Sequence, residues 1–217
     1  MSISEKLEQI VGSRFKEEEP MAKHVNFRIG GPAKFFVEVR SVDELKDVLA
    51  VAKEDDMKFF VFGGGSNMLV NDQSFDGIVI KIGMRAYEIR GTSVRAESGV
   101  LSSALARATA NHGLAGLSWM ITLPGTVGGA VRGNAGCFGG EVKDQVVNVE
   151  VLRDGEVVKL KKKELEFGYR DSMFKHNKDI ILAASFELAE GDVTDLRAEI
   201  DDQLLRRHRL AEGLVYR

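Results

Sequence analysis

Apolar and polar positions follow two different rhythms in the two halves of this chain. Near the start, Ile3, Leu7, Ile10 and Val11 share one face of a short amphipathic helix over residues 3–15, and the acidic run KEEEP then breaks it at Pro20. KFFVEV (34–39) reads as a strand. SVDELKDVLAVAKEDD opens with a capping box, Ser41 three residues before Glu44, and continues with Val42, Leu45, Val48, Leu49 and Ala52 at helical spacing. KFFVF (58–62) and GIVIKI (77–82) are compact apolar strands on either side of a glycine-bearing loop. Residues 21–83 therefore predict a strand, helix, strand, loop, strand unit.

The second half changes pattern. YEIRGTSVRAES (87–98) reads as a hairpin turning near Gly91, and SSALARATANHG (102–113) as a helix with a serine at its start and Gly113 suited to close it. VVNVEVLRDGEVVKL is a hairpin about the Asp154-Gly155 turn, and DIILAASFEL (179–188) is a further strand. Leu196, Ile200 and Leu204 recur every four residues in a last helix over 192–211. Strands and helices mix without a regular strand–crossover alternation, so the pattern predicts an α+β fold and not a doubly wound sheet.

Composition narrows the function classes. With 217 residues, 44% hydrophobic and 29% charged, the chain has the makeup of an ordinary globular protein. Thirty lysines and arginines against 33 acids give a net charge of -3, which offers no electrostatic basis for a nucleic-acid or membrane partner. The basic run KLKKKE (159–164) reads as a solvated face. One cysteine, Cys137, excludes an intrachain disulfide, and the scattered His24, His112, His176 and His208 lack ligand spacing, so no metal site is expected. No apolar run approaches a membrane span and the N-terminus has no signal-peptide core, so the expected location is the cytoplasm.

The candidate chemistry lies in two glycine-rich segments, GGGSN (63–67) and LPGTVGGAVRGNAGCFGG (123–140). Either could be a tight turn between strands. Glycines in such density also let backbone approach a ligand, and successive N–H groups form nests for phosphate oxygens. A helix starting near Thr126 would add its positive end. The dinucleotide fingerprint fails because Met68 stands at its last glycine, and no glycine run ends in the lysine of a P-loop. Two such loops on two α+β lobes can still hold an extended pyrophosphate, so the residues alone reach a dinucleotide-sized phosphate ligand.

Four ordered stretches, NFRIGGPAKFFVEV, VFGGGSNMLVND, LPGTVGGAVRGNAGCFGGEVKD and FGYRDSMFK, resemble the UDP-N-acetylenolpyruvoylglucosamine reductase family over roughly residues 20–190. The resemblance implies a two-lobed FAD-binding domain of the vanillyl-alcohol oxidase (PCMH) type, with lobes at 21–83 and 84–191 after an N-terminal helix in 1–20. It implies an NADPH-driven flavin oxidoreductase of peptidoglycan precursor synthesis, which reduces UDP-N-acetylglucosamine enolpyruvate to UDP-N-acetylmuramate. By the same resemblance Gly63, Gly64, Gly65, Ser66 and Asn67 hold the FAD pyrophosphate. Pro124, Gly125, Thr126, Gly128, Gly129 and Ala130 lie along the flavin and its ribityl chain, and Asn134 and Gly136 continue that wall. Arg170 matches the catalytic arginine, whose guanidinium stabilises the enolate charge that hydride addition develops. From the residues alone, Arg170 could equally pair with Asp171 or another acid. Tyr169 is expected to pack beside the site, Ser172 to support its loop, Cys137 to be a small unreactive filler, and Trp119 to belong to the core. Asn26 stands where the family more often has threonine.

The family also has a third, substrate-binding domain that opens with a G-S-x-F-K-N-P motif, whose serine is the proton donor, and later supplies a glutamate. That motif is not found in this sequence, and residues 192–217 read as a terminal helix leading toward such a domain. The expectation is impaired turnover, with a separate chain as one conceivable source of the domain. The alternatives are a non-catalytic FAD-binding module and an oxidase of the wider superfamily.

Overall fold

The computed structural model describes residues 1–215, with side chains through Leu210. Its contacts divide into two compact units, Met1–Arg85 and Ala86–Arg217. Among the described residues no helix is long and apolar enough to cross a membrane.

The first unit begins with helix α1 (Ile3–Val11), capped by Ser2, whose side chain accepts from Glu5 N while the Glu5 carboxylate accepts from Ser2 N. The helix is shorter than the 3–15 span expected from its apolar face. A 3-10 turn follows, and Phe15–Pro20 then forms strand β1 where the acidic run suggests only a break. β1 pairs antiparallel with β2 (Pro32–Val39), for example Glu17 with Phe35 and Glu19 with Ala33. Helix α2 (Val42–Glu54) leads to β3 (Phe59–Phe62), and β4 (Phe75–Ile82) inserts parallel between β2 and β3, giving the order β1-β2-β4-β3.

Central strands that run parallel are covered on both faces and read as continuous apolar runs, which is the pattern of FFVEV and GIVIKI. Phe36 and Val79 point to one face, into a cluster with Met21, Ala33 and Phe62 that also takes Met68 and Val70 from the glycine loop. Val37, Ile78 and Ile80 are buried, and strand alternation puts them on the other face. Both α1 and α2 contact β2. The capping box of α2 is only half formed. Ser41 Oγ accepts from Glu44 N at 3.1 Å, but the Glu44 carboxylate takes a bidentate pair from Arg14 at 2.7 Å and the Arg40 N–H. A charge-assisted fork outcompetes a reciprocal cap.

The second unit is an antiparallel sheet with helices against it. β5 (Tyr87–Arg90) and β6 (Ser93–Glu97) form the first hairpin, followed by α3 (Ser102–Asn111) and the short β7 (Leu114–Ala115). A 3-10 turn carrying Trp119 precedes α4 (Val127–Arg132), the two-residue strands β8 (Gly136–Cys137) and β9 (Gly140–Glu141), and the single turn α5 (Val142–Gln145). β10 (Val146–Arg153) and β11 (Glu156–Lys161) turn at Asp154 and Gly155, both at positive φ (51° and 84°), as a type I′ hairpin demands. β12 (Ile180–Glu187), β13 (Ala189–Glu190) and α6 (Val193–Val215) complete the unit, and the main sheet runs β11-β10-β12-β6-β5.

Leu105, Leu117, Met120, Val131, Val149, Phe174 and Phe186 form the centre of its core, with Trp119 among them. On α6, Leu196 and Ile200 are buried in that core, while Gln203 takes the next inward place and Leu204 is exposed. Tyr216 and Arg217, the end of the expected 192–217 segment, lie outside the described residues.

Candidate functional site

In the first unit the loop after β3 is held from below. Gly65 has φ +63°, and a Cβ there would sit 2.1 Å from the His24 carbonyl oxygen, while Asn26 N donates to Gly65 O at 3.1 Å. One of the three glycines is therefore demanded by packing alone. Gly64 and Asn67 are exposed, and Gly63 and Ser66 are half-buried. The brace itself is a polar knot. The Glu19 carboxylate, 8% exposed, receives His24 Nε2 at 3.0 Å, with Lys16 and Lys23 beside it, and the His24 ring stacks on Phe36 at 4.2 Å. Burial works to raise the Glu19 pKa, but bonds from His24 and Lys16 prevail and hold it below the usual carboxylate value. Burial lowers that of His24 against the pull of Glu19.

In the second unit the segment 123–140 is knotted to residues 98–102. Ser102 N donates to Gly125 O, Val127 N to Val100 O and Gly128 N to Ser98 O. Gly128 cannot carry a side chain there, since a Cβ would lie 2.7 Å from Ser98 Cβ. Thr126 is the N-cap of α4 but its hydroxyl makes no cap bond. Among the described residues the Ser98, Ser102 and Thr126 hydroxyls are all buried without a hydrogen-bond partner. Each such group costs about 1–3 kcal/mol unless something completes it. Ser102 opens α3, as expected, but its hydroxyl caps nothing: it is buried and unpaired. Gly129 is exposed, with only Thr126 Oγ1 near its missing Cβ, at 3.9 Å. Open glycine backbone beside orphaned hydroxyls fits a polar cofactor rich in hydroxyl and carbonyl groups. Ser98 and Ser102 were not singled out by sequence, because nothing in ESGVLSS shows that both hydroxyls turn inward.

The YRDS stretch is a tight turn closed by Gly168 N to Asp171 O at 3.0 Å, with Tyr169 and Arg170 at its tip. Arg170 has φ +54°, a strained region for a residue with a side chain. Its Nη2 donates to Gly136 O at 2.9 Å. Asp171 is engaged by His176, at 2.9 and 3.0 Å, a bond that holds the carboxyl below its usual range. Among the described residues Arg170 makes no ion pair, so the pairing with Asp171 that the sequence left open does not form. Tyr169 is almost fully exposed and Ser172 is buried, its Oγ donating to Arg132 O at 2.7 Å.

Asn134, 1% exposed, donates from Nδ2 to Gly168 O and to Glu141 Oε2, both at 2.8 Å, and accepts at Oδ1 from Lys143 N at 3.0 Å. The Lys143 ammonium first, then Asn134 and the field of Arg170, hold Glu141 below its ordinary pKa. Cys137 is half-buried, its thiol donating to Trp119 O at 3.3 Å. Among the described residues no group of three His, Cys, Asp or Glu could hold a metal.

Comparison with known proteins places this geometry. The model of the FAD binding domain matches residues 33–161, more than half of the chain. UDP-N-acetylenolpyruvoylglucosamine reductase of Clostridioides difficile (strain 630) is 40% identical over 195 residues, covering 88% of this chain and 64% of the relative. The chain thus spans about two thirds of the length of such curated relatives. Among solved structures, UDP-N-acetylenolpyruvylglucosamine reductase from Thermus caldophilus superposes with TM-score 0.76 at 30% identity, covering 88% of this chain and 69% of that one. At the level of fold alone, 6-hydroxy-D-nicotine oxidase from Arthrobacter nicotinovorans superposes with TM-score 0.66 at 20% identity, over 83% of this chain and 43% of the other. The α+β fold is accordingly that of the vanillyl-alcohol oxidase type of FAD domain, FAD is its cofactor, and the chain belongs to the UDP-N-acetylenolpyruvoylglucosamine reductase family.

Proposed function

We propose that this chain is the FAD-holding part of an NADPH-dependent reductase that converts UDP-N-acetylglucosamine enolpyruvate to UDP-N-acetylmuramate in the cytoplasm. The observation that carries the reading is Arg170, a strained residue that donates to a neutral carbonyl, beside a glycine segment lined by three unpartnered hydroxyls. In this reading lobe 21–83 contributes Gly63, Gly64, Gly65, Ser66 and Asn67 to the pyrophosphate. Lobe 84–191 contributes Pro124, Gly125, Thr126, Gly128, Gly129, Ala130 and Gly136 to the flavin and ribityl chain.

When bound, FAD supplies hydride transfer from NADPH to the enolpyruvyl group. The residues of the chain act around that chemistry. Ser98, Ser102 and Thr126 would hold polar atoms of the cofactor, each gaining the hydrogen-bond partner it lacks within the protein. Gly129 would leave room for its plane, while Gly128 lets α4 pack against Ser98. Arg170 keeps most of its five N–H donors for the substrate carboxylate, where negative charge develops as hydride arrives, and a preoriented guanidinium stabilises that charge without reorganising.

The family's serine acid belongs to a motif not found in this sequence, so the chain alone is expected to complete the cycle slowly. The test separates the half-reactions. Purified chain titrated with FAD should bind it, NADPH should bleach the flavin anaerobically, and the enolpyruvyl sugar nucleotide should restore its colour. Failure to bind FAD ends the proposal. Binding and bleaching without reoxidation by the sugar nucleotide would favour the non-catalytic flavin module.

A further inference from the structure

Alternate residues from the last residue of α4 onward reach the 168–172 stretch. Arg132 O accepts from Ser172 Oγ, Asn134 Nδ2 donates to Gly168 O, and Gly136 O accepts from Arg170 Nη2, at 2.7, 2.8 and 2.9 Å. The middle tether differs from the others in reach. Asn134 is buried, sits at φ +38°, and spends both amide hydrogens inside the protein, one on Gly168 O and one on Glu141. Its oxygen holds Lys143 N, so the amide ties α4, the turn and the start of α5 into one joint. An amide with both hydrogens committed has little left for a cofactor.

Gly168 is also the residue whose N–H and C=O close the turn on Asp171, two residues from the strained φ of Arg170. A non-glycine residue persists in that region only when its surroundings over-determine it. Fixing the Gly168 carbonyl from a buried side chain is such a determination. We infer that Asn134 is a positioning residue, which sets the 168–171 turn and so aims the Arg170 guanidinium, and is not a wall of the cofactor site. This rests on the proposed role of Arg170.

The test is a double-mutant cycle of Asn134→Asp and Arg170→Ala, in FAD-loaded, anaerobically reduced chain mixed with the enolpyruvyl sugar nucleotide. Asn134→Asp keeps the shape and the acceptor and removes both donors. Two lost buried hydrogen bonds correspond to about 10- to 100-fold slower reoxidation with Arg170 present. With Arg170→Ala the same change should slow it less than about threefold, because a group acting through Arg170 has nothing left to aim. The Kd for FAD should stay within about threefold throughout. Equal slowing in both backgrounds overturns the inference, as does a large rise in the FAD Kd with the rate preserved. Amide hydrogen exchange at Gly168 and Asp171 needs no flavin chemistry, and Asn134→Asp should speed it at least about tenfold. Unchanged protection there overturns the inference as well. Should reoxidation fail in the unmodified chain, the proposed reductase activity falls, and the exchange measurement alone decides whether Asn134 sets the turn.

Discussion

Replacing Gly129 by alanine separates a glycine kept for a ligand from one kept for packing. Within the protein the new methyl meets nothing closer than Thr126 Oγ1 at 3.9 Å, an ordinary contact. Gly129 lies inside α4 and is not among the residues at positive φ, so alanine carries no backbone strain. It should instead gain up to about 1 kcal/mol of helix propensity. Folding alone thus expects the variant to be as stable as the parent or slightly more so.

A cofactor lying against that backbone would have to give way to the methyl. Forcing a methyl into a fitted contact costs about 1–3 kcal/mol, which is roughly a 5- to 150-fold rise in Kd. Thermal unfolding of the cofactor-free chain by circular dichroism reads the first quantity, and quenching of FAD fluorescence on titration reads the second. The expected result is an unchanged or raised Tm together with weakened FAD binding. Gly128→Ala is the control, because its Cβ would meet Ser98 Cβ at 2.7 Å and stability should fall. An FAD Kd for Gly129→Ala within about twofold of the parent refutes the flavin-side placement of this residue. A Tm several degrees lower refutes the open space itself.

Two further substitutions and one pH effect probe the braces around the two glycine segments. Gly65→Ala combines a left-handed backbone with a 2.1 Å approach to the His24 carbonyl; the backbone term alone is about 1–2 kcal/mol, so the Tm of the unit carrying it should drop by about 4–16 °C. Burial keeps His24 below its ordinary pKa, and Glu19 is lowered as well, chiefly by bonds from His24 and Lys16 that outweigh burial. Groups lowered in the folded state add stability that is present above their unfolded pKa and lost as pH falls, so the Tm should decline from about pH 6.5 downward and decline further below about pH 4.5. A flat profile between pH 7.5 and 5.5, or one that His24→Gln leaves unaltered, contradicts this. Ser172→Ala removes the buried donor to the Arg132 carbonyl and should lower stability by about 0.5–1.5 kcal/mol in urea unfolding, with the m-value unchanged.

Much of the architecture was legible because burial imposes a rhythm. The central strands FFVEV and GIVIKI, the face of α2 and the Asp154-Gly155 hairpin each announce themselves locally. β1 does not. FKEEEP offers no alternation because Glu19 is the residue that turns inward, its charge met by His24, Lys16 and Lys23 drawn from before and after it. An edge strand with an inward charge looks like a solvated break until its partners are known. The half-formed capping box at Ser41 fails for a related reason, since the competitor for Glu44 is Arg14, thirty positions earlier. At the site, the glycine segments and Arg170 were visible as residue types. The orphaned hydroxyls of Ser98 and Ser102 and the bonding of Asn134 depend on contacts that no local spacing encodes.

Arg170 shows what the fold adds to a motif. In sequence it stands next to an acid, and an adjacent Arg-Asp pair is as well explained by mutual neutralisation as by catalysis. In the structure the neighbours part. Asp171 is taken by His176, while Arg170 donates to the neutral Gly136 carbonyl. A carbonyl orients a guanidinium and leaves its charge uncompensated, whereas a carboxylate would have spent it. Glu141 lies close enough for the field of Arg170 to help lower its pKa, but it is engaged by Lys143 and Asn134 and does not pair with the arginine. The turn therefore holds a cation in a strained, directed pose with its charge in reserve. That arrangement suits a transient anion better than a permanent partner.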